Sequence, residues 1–518
     1  MKKLTTMLLL LCLVVTSFAG CGNNSASKDD GKIMTINWMP QNDAPIDADS
    51  PITKIIEDKF GVKINYVYLD RSKETELLNI RIAAGEIPDV MRRNDSSYRT
   101  LIKEGALSEI PEDLIKETAP KLYDYTTQYG GDDMWTIAKQ DGKLYGMPIL
   151  ENNGQYHYVS IWRDDWLRNV GINKIPETLE EAEDAFYKFV NNDPDGNGKK
   201  DTYALSANGL NAIYNAYGAH PAASYWALRD GKTVLSATLP EMKEALTKLN
   251  KWYNDGLIDP EFITGENKGQ HFSSSVVFWN GRIGFSVPGL PYHVYPPFYD
   301  GKVAGSLNYK SFKEIQGENA TFEYGVPLKG PEGKSGAESW GVFAGNFFVM
   351  GRDVGSGSEK MKKILEINEV LNTDYDFFLQ TKFGREGTEY TNDNGLITSL
   401  LDTDQRRTLG LSTQGIQYMI NNLEFIQNSE TPESVEFSKK HGDIPGVEHY
   451  TKLVWGGLPS DSMYKSIIEQ KVAENYSAFI TGERDISEFE LFVEELNNAG
   501  LAQLTAEAQE WYDARYTK

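Results

Sequence analysis

Strand-like and helix-like segments alternate along this chain from residue 33 onward, and this alternation constrains the fold more than any other feature of the sequence. Residues 33–38 and 62–68 are rich in β-branched and aromatic residues, which is typical of strands. Between them, Ser50 and Pro51 offer an N-cap and a first helical residue, and Gly61 stands where the helix should end. Strands separated by helices predict a mostly parallel sheet, so we predict an α/β protein.

The same pattern continues along the chain. Ser72 is predicted to cap a second helix that reaches Ala84, and residues 88–91 are predicted to form the next strand. Ligands of parallel sheets bind at the carboxyl ends of the strands, so residues 38–43 and 92–95 are candidate edges of a cleft. Further helices are predicted over residues 178–190, 240–254 and 359–371, strands within residues 322–349, and packed helices in the last fifty residues.

The length and the net charge of the chain limit the classes of protein to which it can belong. A chain of 518 residues exceeds what one hydrophobic core usually holds, so two or more domains are expected. The 52 basic and 75 acidic residues give a formal net charge of -23, which offers no basic face for nucleic acid. The same acidity disfavours an anionic ligand, so we expect a neutral one.

The first twenty residues have the features of an export signal. Lys2 and Lys3 precede an apolar run over residues 7–15 that is too short to span a bilayer. The run leads to Phe18-Ala-Gly-Cys21, which resembles the lipobox of bacterial lipoproteins, with Phe18 in place of the usual Leu. We therefore predict a signal peptide over residues 1–20, acylation (palmitate) at Cys21 and a flexible tether over residues 21–32. An ordinary secretory signal with an incidental cysteine is the alternative.

The two cysteines support this interpretation. Cys12 lies inside the predicted signal peptide and Cys21 is the predicted lipid site, so the mature chain would have no thiol for a disulfide, a nucleophile or a metal. The rest of the chain has no apolar run that is long enough to span a bilayer. We expect a protein held at the outer face of the cell membrane by its lipid alone.

One loop has the front half of an EF-hand calcium motif. Oxygen ligands stand at its first, third, fifth and ninth positions, a carbonyl at the seventh and Gly at the sixth, as a hard cation requires. The predicted ligands are Asp193, Asp195, Asn197, the Lys199 carbonyl and Asp201. Ala204 stands where the bidentate Glu should be, so water or a distant carboxylate would complete a structural calcium site. A metal-free polar turn is the alternative.

Catalytic motifs are absent from the sequence. There is no HExxH motif, no G-x-S-x-G nucleophile elbow and no complete phosphate loop. A pair of carboxylates for glycoside chemistry stays open, because 75 acidic residues form many accidental pairs. The sequence therefore favours a protein that is not an enzyme.

A set of motifs, ordered along nearly the whole chain, resembles the carbohydrate-binding solute-binding lipoproteins of bacterial ABC importers. They include AAGEIPDV at 83–90 and GKLYGMP at 142–148, and continue at residues 162–167, 175–178, 193–203, 253–261, 279–284, 383–387 and 479–482. The resemblance implies a two-lobed periplasmic-binding-protein type II fold with a hinge and a C-terminal helical region. It places lobe 1 at residues 33–149 and 326–375, and lobe 2 at residues 150–325 and 376–518. Many relatives carry the calcium loop, often with an acid where this chain has Thr202.

The resemblance also implies a function and partners. The expected ligand is a neutral oligosaccharide, the expected partners are the permease subunits of an ABC importer, and the protein is expected to be a monomer. A peptide or other polar solute, a surface glycosidase or esterase, and an adhesin are the alternatives. Tryptophans near strand ends and polar residues in turns are the candidate ligand contacts. A buried core position is the alternative for each tryptophan, and a solvated turn is the alternative for each polar residue. These candidates are Trp38, Asn42, Asn94, Asp95, Trp279, Trp340, Glu386 and Trp455.

Overall fold

The computed structural model describes residues 33–42, 44–131, 133–264, 276–393, 395–411, 422–450 and 452–517. The predicted signal peptide, Cys21 and the tether lie outside the described residues. The strands are β1 Met34–Trp38, β2 Val62–Tyr66, β3 Val90–Asn94, β4 Lys139–Gln140, β5 Lys143–Leu144, β6 Gly146–Leu150, β7 Val159–Trp162, β8 Trp226–Arg229, β9 Lys232–Leu235, β10 Phe285–Gly289, β11 Glu323–Gly325, β12 Gly336–Glu338, β13 Phe343–Met350, β14 Tyr390–Asp393, β15 Leu396–Ser399 and β16 Glu448–Tyr450.

The α-helices account for much of the remaining described backbone. They are α1 Pro51–Phe60, α2 Glu74–Ala83, α3 Asp95–Lys103, α4 Glu112–Thr118, α5 Pro120–Gly130, α6 Asp133–Ala138, α7 Asp164–Asn169, α8 Leu179–Asn191, α9 Ala207–Ala216, α10 Pro240–Asn254, α11 Val276–Trp279, α12 Leu307–Gln316, α13 Glu359–Thr373, α14 Tyr375–Phe383, α15 Thr403–Leu409, α16 Leu423–Ser429, α17 Pro432–Gly442, α18 Asp461–Thr481, α19 Phe489–Leu496 and α20 Ala502–Tyr516. Within the described residues, no helix is both long enough and apolar enough to cross a membrane.

The main sheet has five strands in the order β2-β1-β3-β13-β6. β1 is parallel to both β2 and β3, as the alternation of strands and helices predicted. β13 comes from much later in the chain and runs antiparallel to β3 and β6. A second sheet, β10-β7-β11, is antiparallel throughout.

Local sequence signals set several helix ends. The Ser50 hydroxyl accepts a hydrogen bond from the amide of Ile52, and Gly61 ends α1 in the left-handed conformation with φ 64°. Thr178 and Glu181 form a capping box at the start of α8. The predicted cap at Ser72 is wrong, because the Asp70 carboxylate caps a short 3-10 helix there and α2 follows it.

The buried apolar residues that the structure describes form three clusters. The first contains the five-stranded sheet and its helices, with Ile36, Phe347 and Ile364 at its centre. The second packs α8, α9, α10 and the C-terminal helices around Trp162 and Phe285. Val159 and Ile161, neighbours of Trp162 on β7, belong to the third cluster. Successive strand residues point to opposite faces of a sheet, so β7 separates the second cluster from the third.

The chain crosses between the clusters along adjacent segments. The amide of Glu151 donates to the Val342 carbonyl at 2.7 Å, and the amide of Tyr158 donates to the Glu338 carbonyl at 2.8 Å. β12 in turn pairs in parallel with β16. Three crossing segments, residues 151–158, 336–342 and 448–450, therefore lie side by side.

The cluster to which each segment belongs indicates where the chain passes from one lobe to the other. Phe377 and Leu423, which the family resemblance places in lobe 2, pack in the first cluster. Val454 and Leu458 pack in the second. Trp455 still packs in the first cluster, so we propose that the third crossing between lobes lies between residues 423 and 458 rather than at residue 375.

Candidate ligand-binding cleft

A cavity of about 650 Å³ opens at the carboxyl ends of β1, β2 and β3. Gln41 follows β1, Glu74 lies beyond β2, and Asn94 ends β3. Ser339 and Trp340, on a crossing segment, line the cavity as well. The cavity therefore lies where parallel sheets bind ligands, and residues between the lobes complete its wall.

Two buried ion pairs form the floor of this cavity. Arg92 donates to Glu151 at 2.7 Å and Arg93 donates to Glu74 at 2.8 Å. Burial lowers the pKa of Arg93, and the Glu74 carboxylate opposes that shift. Because a buried charge without a partner is costly, each pair holds its members in fixed positions. The Asn346 amide also reaches Glu151, at 3.4 Å.

Two tryptophans face the cavity from different segments. Trp340 is half-buried, and its indole N–H donates to the Tyr158 hydroxyl at 3.2 Å. Trp455 is largely buried, with its ring centroid 4.9 Å from that of Phe343. Gly345 has φ 80°, and a Cβ there would lie 2.7 Å from the Trp455 ring, so a glycine is needed for this packing.

A second cavity of about 500 Å³ adjoins the first. Asn94, Ala344, Lys452 and Trp455 line both cavities. The second cavity extends over Trp226 of the second cluster and along the first turns of α18. We refer to the two adjoining cavities as the cleft.

The cleft brings together half of the residues that the sequence singled out. Asn94, Trp340 and Trp455 line the first cavity, and Asp95 joins Asn94 and Trp455 in the second. Asp95 accepts hydrogen bonds from the Gly456 amide and from Arg99, so it ties β3 to the segment that carries Trp455.

The other four candidates lie elsewhere. Trp38 is buried in the first cluster and Trp279 in the third, where it packs on Phe278. The Asn42 amide donates to the Ala44 and Arg407 carbonyls, at 2.7 and 2.8 Å, and so holds a loop. Glu386 is exposed near the β14–β15 hairpin. Trp38 and Trp279 are core residues because β1 and α11 turn their side chains toward the interior. Gly or Asn residues nearby in the sequence do not reveal this orientation.

Sequence reasoning missed Glu74, Glu151 and Lys452 as cleft residues. Glu151 directly follows β6, whose five residues are all buried, and a carboxylate at the end of such a strand was a usable signal. Lys452 carried no such signal, because only the tertiary fold brings residue 452 to β3.

In the predicted calcium loop, Asp and Asn side chains accept hydrogen bonds from backbone amides of the same turn. Asp193 accepts from the amides of Asn197 and Gly198 at 3.1 and 2.9 Å. The Asn197 side-chain amide lies 2.8 Å from Asp195 and 3.2 Å from Asp201. Burial raises the pKa of Asp195, and the carboxylates of Asp193 and Asp201 raise it further. In the part of the chain that the structure describes, no three His, Cys, Asp or Glu side chains are already arranged as a metal site.

The fold and the cleft together define a two-lobed α/β binding protein whose lobes meet along adjacent crossing segments. The family model described as bacterial extracellular solute-binding protein matches residues 52–348, so the chain belongs to this family. The family predicted from the ordered motifs is thereby confirmed.

Individual relatives extend this comparison. Lipoprotein LipO of Bacillus subtilis strain 168 is 24% identical over 97% of both chains. The polygalacturonan/rhamnogalacturonan-binding protein YtcQ of the same organism is 25% identical and covers 75% of this chain and 74% of its own. The structure of FusA from Streptococcus pneumoniae in complex with kestose superposes with a TM-score of 0.63 at 17% identity, over 93% of this chain and 99% of that one. An EF-hand mutant of FusA gives a TM-score of 0.60 at 16% identity, with the same coverage of both chains. These superpositions confirm the predicted two-lobed α/β fold.

Proposed function

We propose that this protein captures an oligosaccharide outside the cell and delivers it to the permease of an ABC importer. The cleft supports this proposal, because it combines tryptophan rings with amide and charged side chains that can bond to sugar hydroxyls. The names of YtcQ and of the FusA complex, which refer to a polygalacturonan, a rhamnogalacturonan and kestose, agree with a sugar ligand. A peptide or other polar solute is the second candidate.

The two lobes suggest how capture works. A ligand that contacts both walls of the cleft binds a closed arrangement better than an open one, and that difference in affinity shifts the population toward closure. Arg92 and Asn94 lie on β3 of the first cluster, and Tyr225 adjoins Trp226 of the second cluster. The adjacent crossing segments at residues 151–158, 336–342 and 448–450 are the proposed hinge.

A panel of oligosaccharides tests the proposal by thermal shift. A true ligand should raise the melting temperature as its concentration rises above its Kd. We expect stabilisation by at least one oligosaccharide and none by di- and tripeptides. Each hit is then incubated with the protein and the sugar is analysed, because cleavage would favour a glycosidase over a binding protein.

We further propose that Asp193, Asp195, Asn197, the Lys199 carbonyl and Asp201 bind a structural calcium ion. The loop gathers the oxygen donors that calcium prefers, and three neighbouring carboxylates repel each other without a cation. Calcium would fix the end of α8 to the chain that follows it. The EF-hand named for FusA agrees with such a site.

Chelation should therefore lower the melting temperature of the purified protein. A ligand present at about a hundred times its Kd stabilises a native protein by about 2.7 kcal/mol, and EDTA would remove that contribution. Asp195→Ala should melt at the same temperature with and without EDTA, whereas the control Asp184→Ala, an exposed change on α8, should keep the response. An unchanged wild-type melting curve in EDTA would show that the loop is only a polar turn.

A further inference from the structure

Two lysine side chains line the second cavity. Lys452 lies at the junction of the two cavities, and Lys465 lies on the second turn of α18. Among the residues that the structure describes, neither ammonium group has an ion pair within 4.0 Å. The Lys452 ammonium lies 5.1 Å from the centroid of the Trp455 ring.

The described carboxylates of the cleft already accept hydrogen bonds from groups of the protein. Asp95 accepts from the Gly456 amide and from Arg99, and Asp461 accepts from the Leu458 amide at 3.0 Å. In the first cavity, Glu74 and Glu151 hold the two buried arginines. Among the described residues that line the second cavity, Lys452 and Lys465 are the cations without an ion pair within 4.0 Å.

One negative and one positive charge act on the Lys452 ammonium group. Burial lowers the pKa of Lys452, Asp95 opposes this shift, and the charge of Lys465 lowers the pKa further. Lys452 nevertheless keeps its side chain accessible to solvent in the cleft. An anion bound between the two ammonium groups would accept charge-assisted hydrogen bonds from both and would favour their charged forms.

From this arrangement we infer that the ligand is an oligosaccharide with carboxylate groups, one of which binds Lys452 and Lys465 beside Trp455. The inference rests on the proposed function and specifies its substrate class. It replaces the expectation of a neutral ligand, which used the net charge of -23. Net charge describes the whole surface, whereas binding depends on the charges that face the cleft.

Matched sugar pairs test the inference by calorimetry. Trisaccharides of galacturonate, of mannuronate and of glucuronate are each compared with their methyl esters, which keep the rings and lose the charge. We expect at least one acid to bind about tenfold tighter than its ester, the effect of a hydrogen bond to a charged group. The binding should also weaken as salt is raised from about 0.05 to 0.5 M, because partly exposed ion pairs are screened.

The double change Lys452→Met and Lys465→Met should abolish the preference for the acid. Lys302→Met with Lys310→Met removes the same charge from exposed sites outside the cleft and should leave the preference intact. Melting curves check that both variants fold. Equal or tighter binding of the esters, or a preference that survives the cleft double variant, would overturn the inference while sugar capture stands. Binding of no sugar in either form would count against the inference and against the proposed function.

Discussion

Trp340→Ala is expected to weaken oligosaccharide binding about 30-fold or more, the loss typical of an aromatic hot spot at about 2 kcal/mol. The Trp340 ring is half-buried on the crossing segment, and it lines the first cavity. Truncation removes an apolar face for the sugar and the bond to the Tyr158 hydroxyl, and it leaves the three apolar clusters intact. Titration calorimetry with a ligand from the thermal-shift panel measures the change.

Trp279→Phe is the control, because it replaces a tryptophan that lies outside the cleft. Trp279 is 3% exposed and packs in the third cluster, so its replacement should lower the melting temperature and leave the affinity unchanged. Trp455 is a less decisive target because its ring also packs in the first cluster. Wild-type affinity in Trp340→Ala would show that the sugar binds outside the first cavity.

Cys21→Ala is expected to move the protein from the membrane fraction to the soluble fraction almost completely. Acylation supplies about 0.8 kcal/mol for each buried methylene group, and stable anchoring requires more than one chain. The predicted mature chain contains no apolar run of spanning length, so the loss of the lipid should remove the attachment. Fractionation of the producing cells, followed by immunoblotting of each fraction, measures the distribution.

Cys12→Ala provides the matched control for this experiment. Both changes remove one thiol, but Cys12 lies within the predicted signal peptide, and that variant should stay with the membrane. Retention of Cys21→Ala in the membrane fraction would contradict a lipid anchor at this residue and favour another mode of attachment.

Local signals in the sequence predicted much of the secondary structure. The helix at residues 240–254 has the predicted bounds, because Pro at its first position and an apolar stripe define it without tertiary contacts. The capping box of Thr178 and Glu181 was equally recognisable from the sequence. The strand β3 runs to Asn94 instead of residue 91, because β13 pairs with Arg92 and Arg93. A partner strand more than 240 residues away along the chain is invisible to a local pattern.

The candidate site was harder to predict, for the same physical reason. Trp340 and Trp38 both lie beside residues typical of turns or strand ends, yet only Trp340 faces the cleft, because packing decides which side of the backbone a ring takes. Likewise, the sign of the charge in the cleft depends on which carboxylates find partners inside the protein. Glu74 and Glu151 are bound by arginines, and the sequence shows neither pairing.

Closure of the two lobes on a sugar in the cleft is most directly tested by small-angle X-ray scattering. The purified protein is measured alone and with a saturating oligosaccharide from the panel, at several protein concentrations that exclude association. A ligand that bridges both walls should shift the population to the closed form and reduce the radius of gyration. Identical scattering curves with and without a saturating sugar would contradict closure of the lobes around the ligand.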